Sequence, residues 1–293
     1  MNSLSRREFL GTAALLTAAR PALAAETPAF TFAVITDTHL GRRGSTTPAR
    51  LMQQAIEKVN ASKAGFTLFG GDLVDLGHTL ENQKHYATWL DLAKGLKKDW
   101  HAVPGNHDPR EVFRRELKRE HDWEFEHNGY RILGFADAGD AEDHLGHITP
   151  GQLNWLKERI TLASTKSQKV ILLAHVTAHP NKAPDVGWWV KDGDKELLAI
   201  VEANPHVVAI ISGHAHCGLR GWSDRAKGFH EVIFPALVYN RERGLEKASG
   251  YCITPTAQAV TFVDVFANRF DLRQEPVDGK TPVAMKTIDL RQG

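Results

Sequence analysis

From residue 30 onward, apolar positions recur with two alternating periods. Residues 30–36 are a run of β-formers, whereas 49–61 sets Leu51, Ala55, Ile56 and Val59 on one helical face. The alternation continues with a strand at 66–69, a helix at 81–97, the end of a strand at 101–103 and a charged helix at 113–120. Asn128-Gly129 lies between strand-like stretches at 123–127 and 130–135, and it predicts a hairpin because both residues tolerate positive φ. Thr149-Pro150 predicts the start of a helix reaching residue 160, with threonine as cap and proline preset for the first turn. Runs at 170–174 and 207–211 predict buried strands, with a helix at 195–203 between them. After Gly213 helical spacing stops, and 229–234, 250–254, 260–266 and 270–273 read as successive strands. An α/β first part closed by strands predicts two packed sheets covered by helices on their outer faces.

Composition narrows the picture modestly. Hydrophobic residues make up 42% and charged residues 24%, which is a globular balance, and the net charge is +1. No basic, aromatic-interleaved stretch argues for a nucleic-acid partner, so none is expected. The N-terminus says more. Arg6-Arg7 precedes an apolar, Ala-rich run at 11–19, and Ala22-Leu23-Ala24 follows as a small-x-small cleavage pattern. That run is about half of the ~20 residues a spanning helix needs, so no stable membrane anchor is expected. The paired arginines resemble a twin-arginine export signal. Residues 1–24 are therefore expected to be a signal peptide read by the twin-arginine machinery. Residues 25–293 would then form one domain delivered to the periplasm or secreted. Cys217 and Cys252 are too few for a disulfide scaffold; they are either a single bridge or two small buried residues.

Candidate chemistry sits where predicted strands end, which is where sites form in α/β sheets. Asp37-Thr38-His39 follows the first strand, and Gly71-Asp72-Leu73-Val74-Asp75 the second. Gly105-Asn106-His107-Asp108, then His175, then Gly213-His214-Ala215-His216 follow three more. Burying so many imidazoles and carboxylates together is costly unless a cation neutralises them. The glycines permit close backbone approach.

Taken in order, Asp-x-His, Gly-Asp-x-x-Asp, Gly-Asn-His-Asp, a lone His and Gly-His-x-His resemble the calcineurin-like metallophosphoesterase superfamily. Thr36-Asp37-Thr38-His39-Leu40 and Gln152-Leu153-Asn154-Trp155-Leu156 are most similar to its cyclic-nucleotide and glycerophosphodiester phosphodiesterase branch. The resemblance implies a four-layer α/β/β/α sandwich of two mixed sheets. It also implies two divalent ions, with Mn, Fe, Zn or Co all suited to mixed nitrogen and oxygen ligands. By position, Asp37, His39 and His216 would hold one ion, Asn106, His175 and His214 the other, and Asp72 would bridge them. A metal-bridging hydroxide would attack phosphorus in a small phosphoester substrate, with His107 as general acid and Asp75 orienting its ring.

Departures from the family pattern also carry information. Asp75 stands where purple acid phosphatases carry a tyrosine, and Leu76 stands where protein phosphatases carry an arginine. The fourth block reads His175-Val176-Thr177-Ala178-His179-Pro180, so His179 is an alternative ligand to His175. Trp188 and Trp189 either pack their loop or form an aromatic wall for substrate, and Arg110 could touch a phosphate. The leading expectation is phosphodiester hydrolysis. A broad phosphomonoesterase is the alternative, and a catalytically silent binding protein of the same fold is a third reading.

Overall fold

The computed structural model describes residues 26–138, 143–178, 188–224, 229–241, 251–254 and 258–291; side chains at 222–224 and 251–254 are outside that description. The export signal and His179 lie outside the described residues.

The first strand, β1 (Phe30–Ile35), shows how a period of two builds layers. Phe30, Phe32 and Val34 join a core between two sheets, whereas Ala33 and Ile35 join a second core beneath helices. Such a strand is buried on both faces, which explains why its sequence is a continuous apolar run. It lies between β2 (Phe66–Phe69), which is parallel to it, and antiparallel β13 (Ala259–Val265). The sheet is completed by β3 (Asp99–Ala102), β14 (Arg269–Pro276) and β15 (Ala284–Asp289), in the order β15-β14-β13-β1-β2-β3. Its outer face carries α1 (Thr47–Ala61), α3 (His85–Ala93) and α4 (Arg110–Leu117), and the short α2 (Leu80–Gln83), which buries no residue, leads into α3. Leu51, Met52, Ala55, Ile56 and Val59 of α1 and Trp89 of α3 fill that core.

The second sheet runs β12-β10-β11-β9-β7-β5-β4. Its strands are β4 (Trp123–His127), β5 (Tyr130–Gly134), β7 (Lys169–Leu173), β9 (Val207–Ser212), β10 (Leu219–Asp224), β11 (Phe229–Ile233) and β12 (Tyr251–Thr254). Ile171 and Leu173 face the inter-sheet core; Val170 and Leu172 face α5 (Pro150–Thr165) and α6 (Asp194–Ala203). A small pair, β6 (Gly146–His147) and β8 (Val190–Asp192), lies beside this layer. The order is thus helix, sheet, sheet, helix, as expected, and each sheet mixes parallel and antiparallel pairs.

Two local predictions are met in detail. Asn128 and Gly129 have φ 44 and 79, the positive values a tight β4–β5 turn requires. Thr149 caps α5 in a reciprocal capping box with Gln152, worth about 1 kcal/mol. The expected helix at 81–97 is instead divided into α2 and α3 at Lys84, and α4 starts three residues earlier than the sequence pattern indicated.

Candidate metal centre

Strands β1, β2 and β3 are parallel, as are β5, β7, β9 and β11, so their carboxyl ends meet at one edge of the sandwich. The loops there are knitted together by backbone. Asp37 N–H donates to Gly71 O, and His39 N–H to Asp72 O, at 3.0 and 2.9 Å. Thr36 and Ala236 form a bridge from one sheet to the other. Core and centre are linked through Trp89, whose indole N–H donates to Thr38 Oγ1, which in turn donates to Leu73 O.

Asp37, His39, Asp72, His214 and His216 all have positive φ, between 40 and 68. Non-glycine residues in that region carry strain of roughly 1–3 kcal/mol each, which functional sites tolerate when surrounding contacts impose it. Glycine is required where loops cross. A Cβ on Gly71 would lie 2.5 Å from His175 Nδ1, and one on Gly105 would lie 2.1 Å from Asp72 Oδ1.

Each imidazole has one nitrogen fixed by a hydrogen-bond partner. His39 Nδ1 donates to Asp75 Oδ1 at 3.0 Å, and His216 Nδ1 donates to Tyr239 O at 2.9 Å. His175 Nδ1 donates to Gly70 O at 2.7 Å, and His214 Nε2 donates to His144 O at 3.0 Å. A carbonyl or carboxylate oxygen accepts, so the bonded nitrogen carries the proton and the other nitrogen of each ring is the one placed to meet a metal. The consequences converge. His39 Nε2 and His216 Nε2 face one another at 3.1 Å, with Asp37 Oδ1 3.1 Å from His216 Nε2. Asp72 Oδ2 stands 3.4 Å from both His39 Nε2 and His175 Nε2, midway between two clusters. His175 Nε2 and Asn106 Oδ1 are buried with no hydrogen-bond partner.

Nitrogens and carboxylates gathered in a buried site require positive charge among them, carried by a metal ion or by protons held in its place. Two groups of donor atoms within metal-ligand reach share Asp72, namely Asp37, His39, Asp72 and His216, and Asp72, His175 and His214; a third joins His39, Asp75 and His107. These residues fit a binuclear divalent centre. Charge balance agrees. Burial alone would lower the His175 pKa, but Asp72 and Asp37 raise it to about 10. Burial beside His175 holds His214 down to about 3. Burial would raise Asp72, yet the surrounding histidines hold it well below the ordinary carboxylate range. The pocket therefore favours positive charge.

The remaining expected residues divide. His107 sits edge-on to His39, with ring centroids 4.7 Å apart, and its Nδ1 accepts the Leu76 N–H at 3.1 Å. The neutral ring thus keeps its proton on Nε2. Asp75 was expected to orient His107, but its close hydrogen bond is to His39, and His107 Nδ1 lies 3.5 Å away. Arg110 Nη2 donates to the carbonyls of Ala136 and Ala138 at 3.0 and 2.9 Å, so it holds the loop after β5. The two tryptophans part company. The Trp188 ring is 4.5 Å from His144 and 5.4 Å from His214, whereas Trp189 lies under Lys191 Nζ at 4.1 Å. Cys217 is buried beside the centre, and the side chain of Cys252 is outside the description.

Sequence reasoning missed Asp137, His144 and Tyr239, and it placed Asp108 in the third block without a role. Asp137 follows β5 and is fully buried, accepting from the N–H groups of His175 and Val176. Burial raises its pKa to about 6 despite those bonds. Its place just beyond a strand end was the available signal. Asp108 accepts from Leu73 N, Gly105 N and Tyr86 Oη, joining the second and third loops.

Comparison with known proteins agrees with this geometry. Residues 30–218 match the sequence model for "Calcineurin-like phosphoesterase". A manganese-dependent ADP-ribose/CDP-alcohol diphosphatase of Mus musculus is 31% identical over 130 residues, 44% of this chain. The match spans about a third of that relative, 33% of its length. A probable glycerophosphodiester phosphodiesterase of Arcobacter nitrofigilis is 25% identical over 203 residues, 62% of this chain and 70% of its own. The crystal structure of a dimetal phosphatase from Danio rerio superposes with a TM-score of 0.67 at 16% identity. It covers 90% of this chain and 100% of that one, a likeness of fold. Among the described residues, no helix is long and apolar enough to cross a membrane.

Proposed function

The chain belongs to the calcineurin-like phosphoesterase family, and on that premise we propose that it is an exported enzyme hydrolysing small phosphodiesters. That it is a metal-dependent phosphoric ester hydrolase follows from the family and the paired ligand clusters. The diester preference draws support from the glycerophosphodiester phosphodiesterase and diphosphatase named among its relatives.

The observation that carries the proposal is Asp72 Oδ2, equidistant at 3.4 Å from an imidazole of each cluster. In this reading Asp37, His39 and His216 hold one cation, Asn106, His175 and His214 the second, and Asp72 belongs to both. Such a pair, when bound, supplies Lewis acidity toward phosphoryl oxygens and a nucleophile at neutral pH. The chain's own residues do the rest. As general acid His107 acts as the imidazolium, giving its Nε2 proton to the departing ester oxygen and ending as the neutral ring. The Leu76 N–H meets Nδ1 of the neutral ring, whereas Nδ1–H of the imidazolium turns to Asp75 Oδ1, 3.5 Å away, a carboxylate that also orients His39. Trp188, beside His144 and His214, offers an apolar face to the substrate's organic group.

A hydrolysis panel that pairs monoesters with diesters in added Mn²⁺, with elemental analysis of the same sample, tests this reading. Diester turnover with two metals per chain is expected; monoester turnover alone would replace it with a phosphomonoesterase. Export rests on Arg6 and Arg7. Replacing both by lysine should retain the precursor in the cytoplasm, and unchanged delivery would reject the twin-arginine route.

A further inference from the structure

We propose that Arg42, Tyr239 and Arg241 form an anion-binding flank of the metal centre, selecting phosphoesters whose leaving group carries its own negative charge. The inference rests on the phosphoesterase reading above. The three residues come from loops far apart in sequence. Gly41 turns the first loop with φ 86, and an added Cβ would lie 2.1 Å from the His85 ring, so the turn before Arg42 is tightly fixed. The Arg42 guanidinium carbon sits 4.5 Å from the centroid of the Tyr239 ring. Arg241 approaches the same ring at 5.5 Å, and its backbone N–H donates to His216 O at 2.8 Å. Tyr239 itself stacks on His216 with centroids 4.3 Å apart. Two permanent cations therefore share one aromatic ring, and that ring lies directly against a centre imidazole.

Stacking on an aromatic face accounts for the position of a guanidinium but leaves its in-plane N–H donors available. Arg42 Nη1 lies 3.5 Å from Asp75 Oδ1, which also faces His39 and His107, so one carboxylate is shared among several cationic or proton-bearing groups. Among the described residues, this one carboxylate stands against two guanidiniums, a surplus of positive charge. The Arg42 side chain remains 26% exposed and open to solvent. His107 is the group assigned to protonate the leaving oxygen, and its contact with Asp75 puts Arg42 on the leaving group's side. A phosphate or carboxylate there would meet the forked donor geometry that guanidinium offers oxyanions.

Competition by two non-hydrolysable phosphonates tests the idea on the metal-loaded enzyme. Propylphosphonate and 3-phosphonopropionate share the group that engages the metals and differ in a terminal carboxylate. Wild type should bind the carboxylate-bearing compound about tenfold more tightly, as expected for hydrogen bonds to a charged group. The Arg42→Gln/Arg241→Gln variant should lose that preference while propylphosphonate still inhibits it. Arg241→Gln alone should lose part of it, and this variant serves if the double one sheds metal. An undiminished preference in both variants, or none in wild type, overturns the proposal. If propylphosphonate itself fails to inhibit, the phosphoesterase reading falls as well; if it inhibits and the carboxylate adds nothing, only the anion flank falls.

Discussion

The two halves of the centre are built from similar parts but supported differently. In the half around Asp37, His39 and His216, one imidazole is backed by the Asp75 carboxylate and the other by a carbonyl. Around Asn106, His175 and His214, both imidazoles are backed by carbonyls, those of Gly70 and His144. The first half brings two carboxylates, Asp37 and Asp72; the second shares Asp72 and adds only a neutral amide. A carboxylate behind a ligand raises its basicity, and an additional anionic ligand deepens the electrostatic well for a dication. The first half should therefore hold its metal tightly, and the second should exchange.

The largest expected effect removes the comparison altogether. Asp72→Ala should empty both halves and abolish turnover; two tightly held metals by elemental analysis would reject the bridging role. Next comes His107→Ala, which should slow an alkyl diester by about 10²–10⁴-fold, the usual contribution of a positioned general acid. A nitrophenyl ester, whose leaving group needs little protonation, should slow clearly less with both metals retained. Equal slowing would make His107 a charge clamp. Asp75→Asn bears most directly on the asymmetry. It should weaken metal affinity of the first half by about 10–100-fold and leave the second nearly as it was. A chelator titration that still strips the second half first in this variant would show that Asp75 does not set the order. The smallest effect is expected from Trp188→Ala, which removes an aromatic contact worth about 0.5–1.5 kcal/mol and should raise KM for a bulky diester about two- to tenfold. A small aryl phosphate should barely change.

Much of this was legible because burial on both faces writes a strand as an unbroken apolar run. In β1, β2, β7 and β9 that run stops where the polar loop begins, so strand and candidate ligands were read together. Strands β10 and β15 were missed for the converse reason. Leu219–Asp224 mixes Arg, Gly and Asp with its apolar residues, and Ala284–Asp289 is an edge strand exposed at alternate positions. Which imidazole meets Asp75 could not be read, because that depends on how two loops cross in space. His39 and Asp75 are brought together by the backbone bonds pairing residues 37–40 with 71–73. Arg110 illustrates the same limit, since its partners at 136 and 138 are set by packing of α4 against a later loop. His144 contributes a backbone carbonyl, and side-chain identity carries no trace of that.

The pairing of β1 with β13 has a consequence for the order of events during folding. Phe30 is registered opposite Val265, so the first strand of the sandwich takes its antiparallel neighbour from near the end of the chain. Contacts of such long sequence separation form slowly, because the loop must close before the pairing rewards it. A ribosome must release more than two hundred further residues before β1 is enclosed on both edges. The loop that begins at Thr36 therefore precedes by a long stretch of chain the strand that closes the sheet beside it. Every ligand proposed for the two ions lies between Asp37 and His216, so the ligand set is complete in the chain before β13, at Ala259–Val265, can close the second edge of β1.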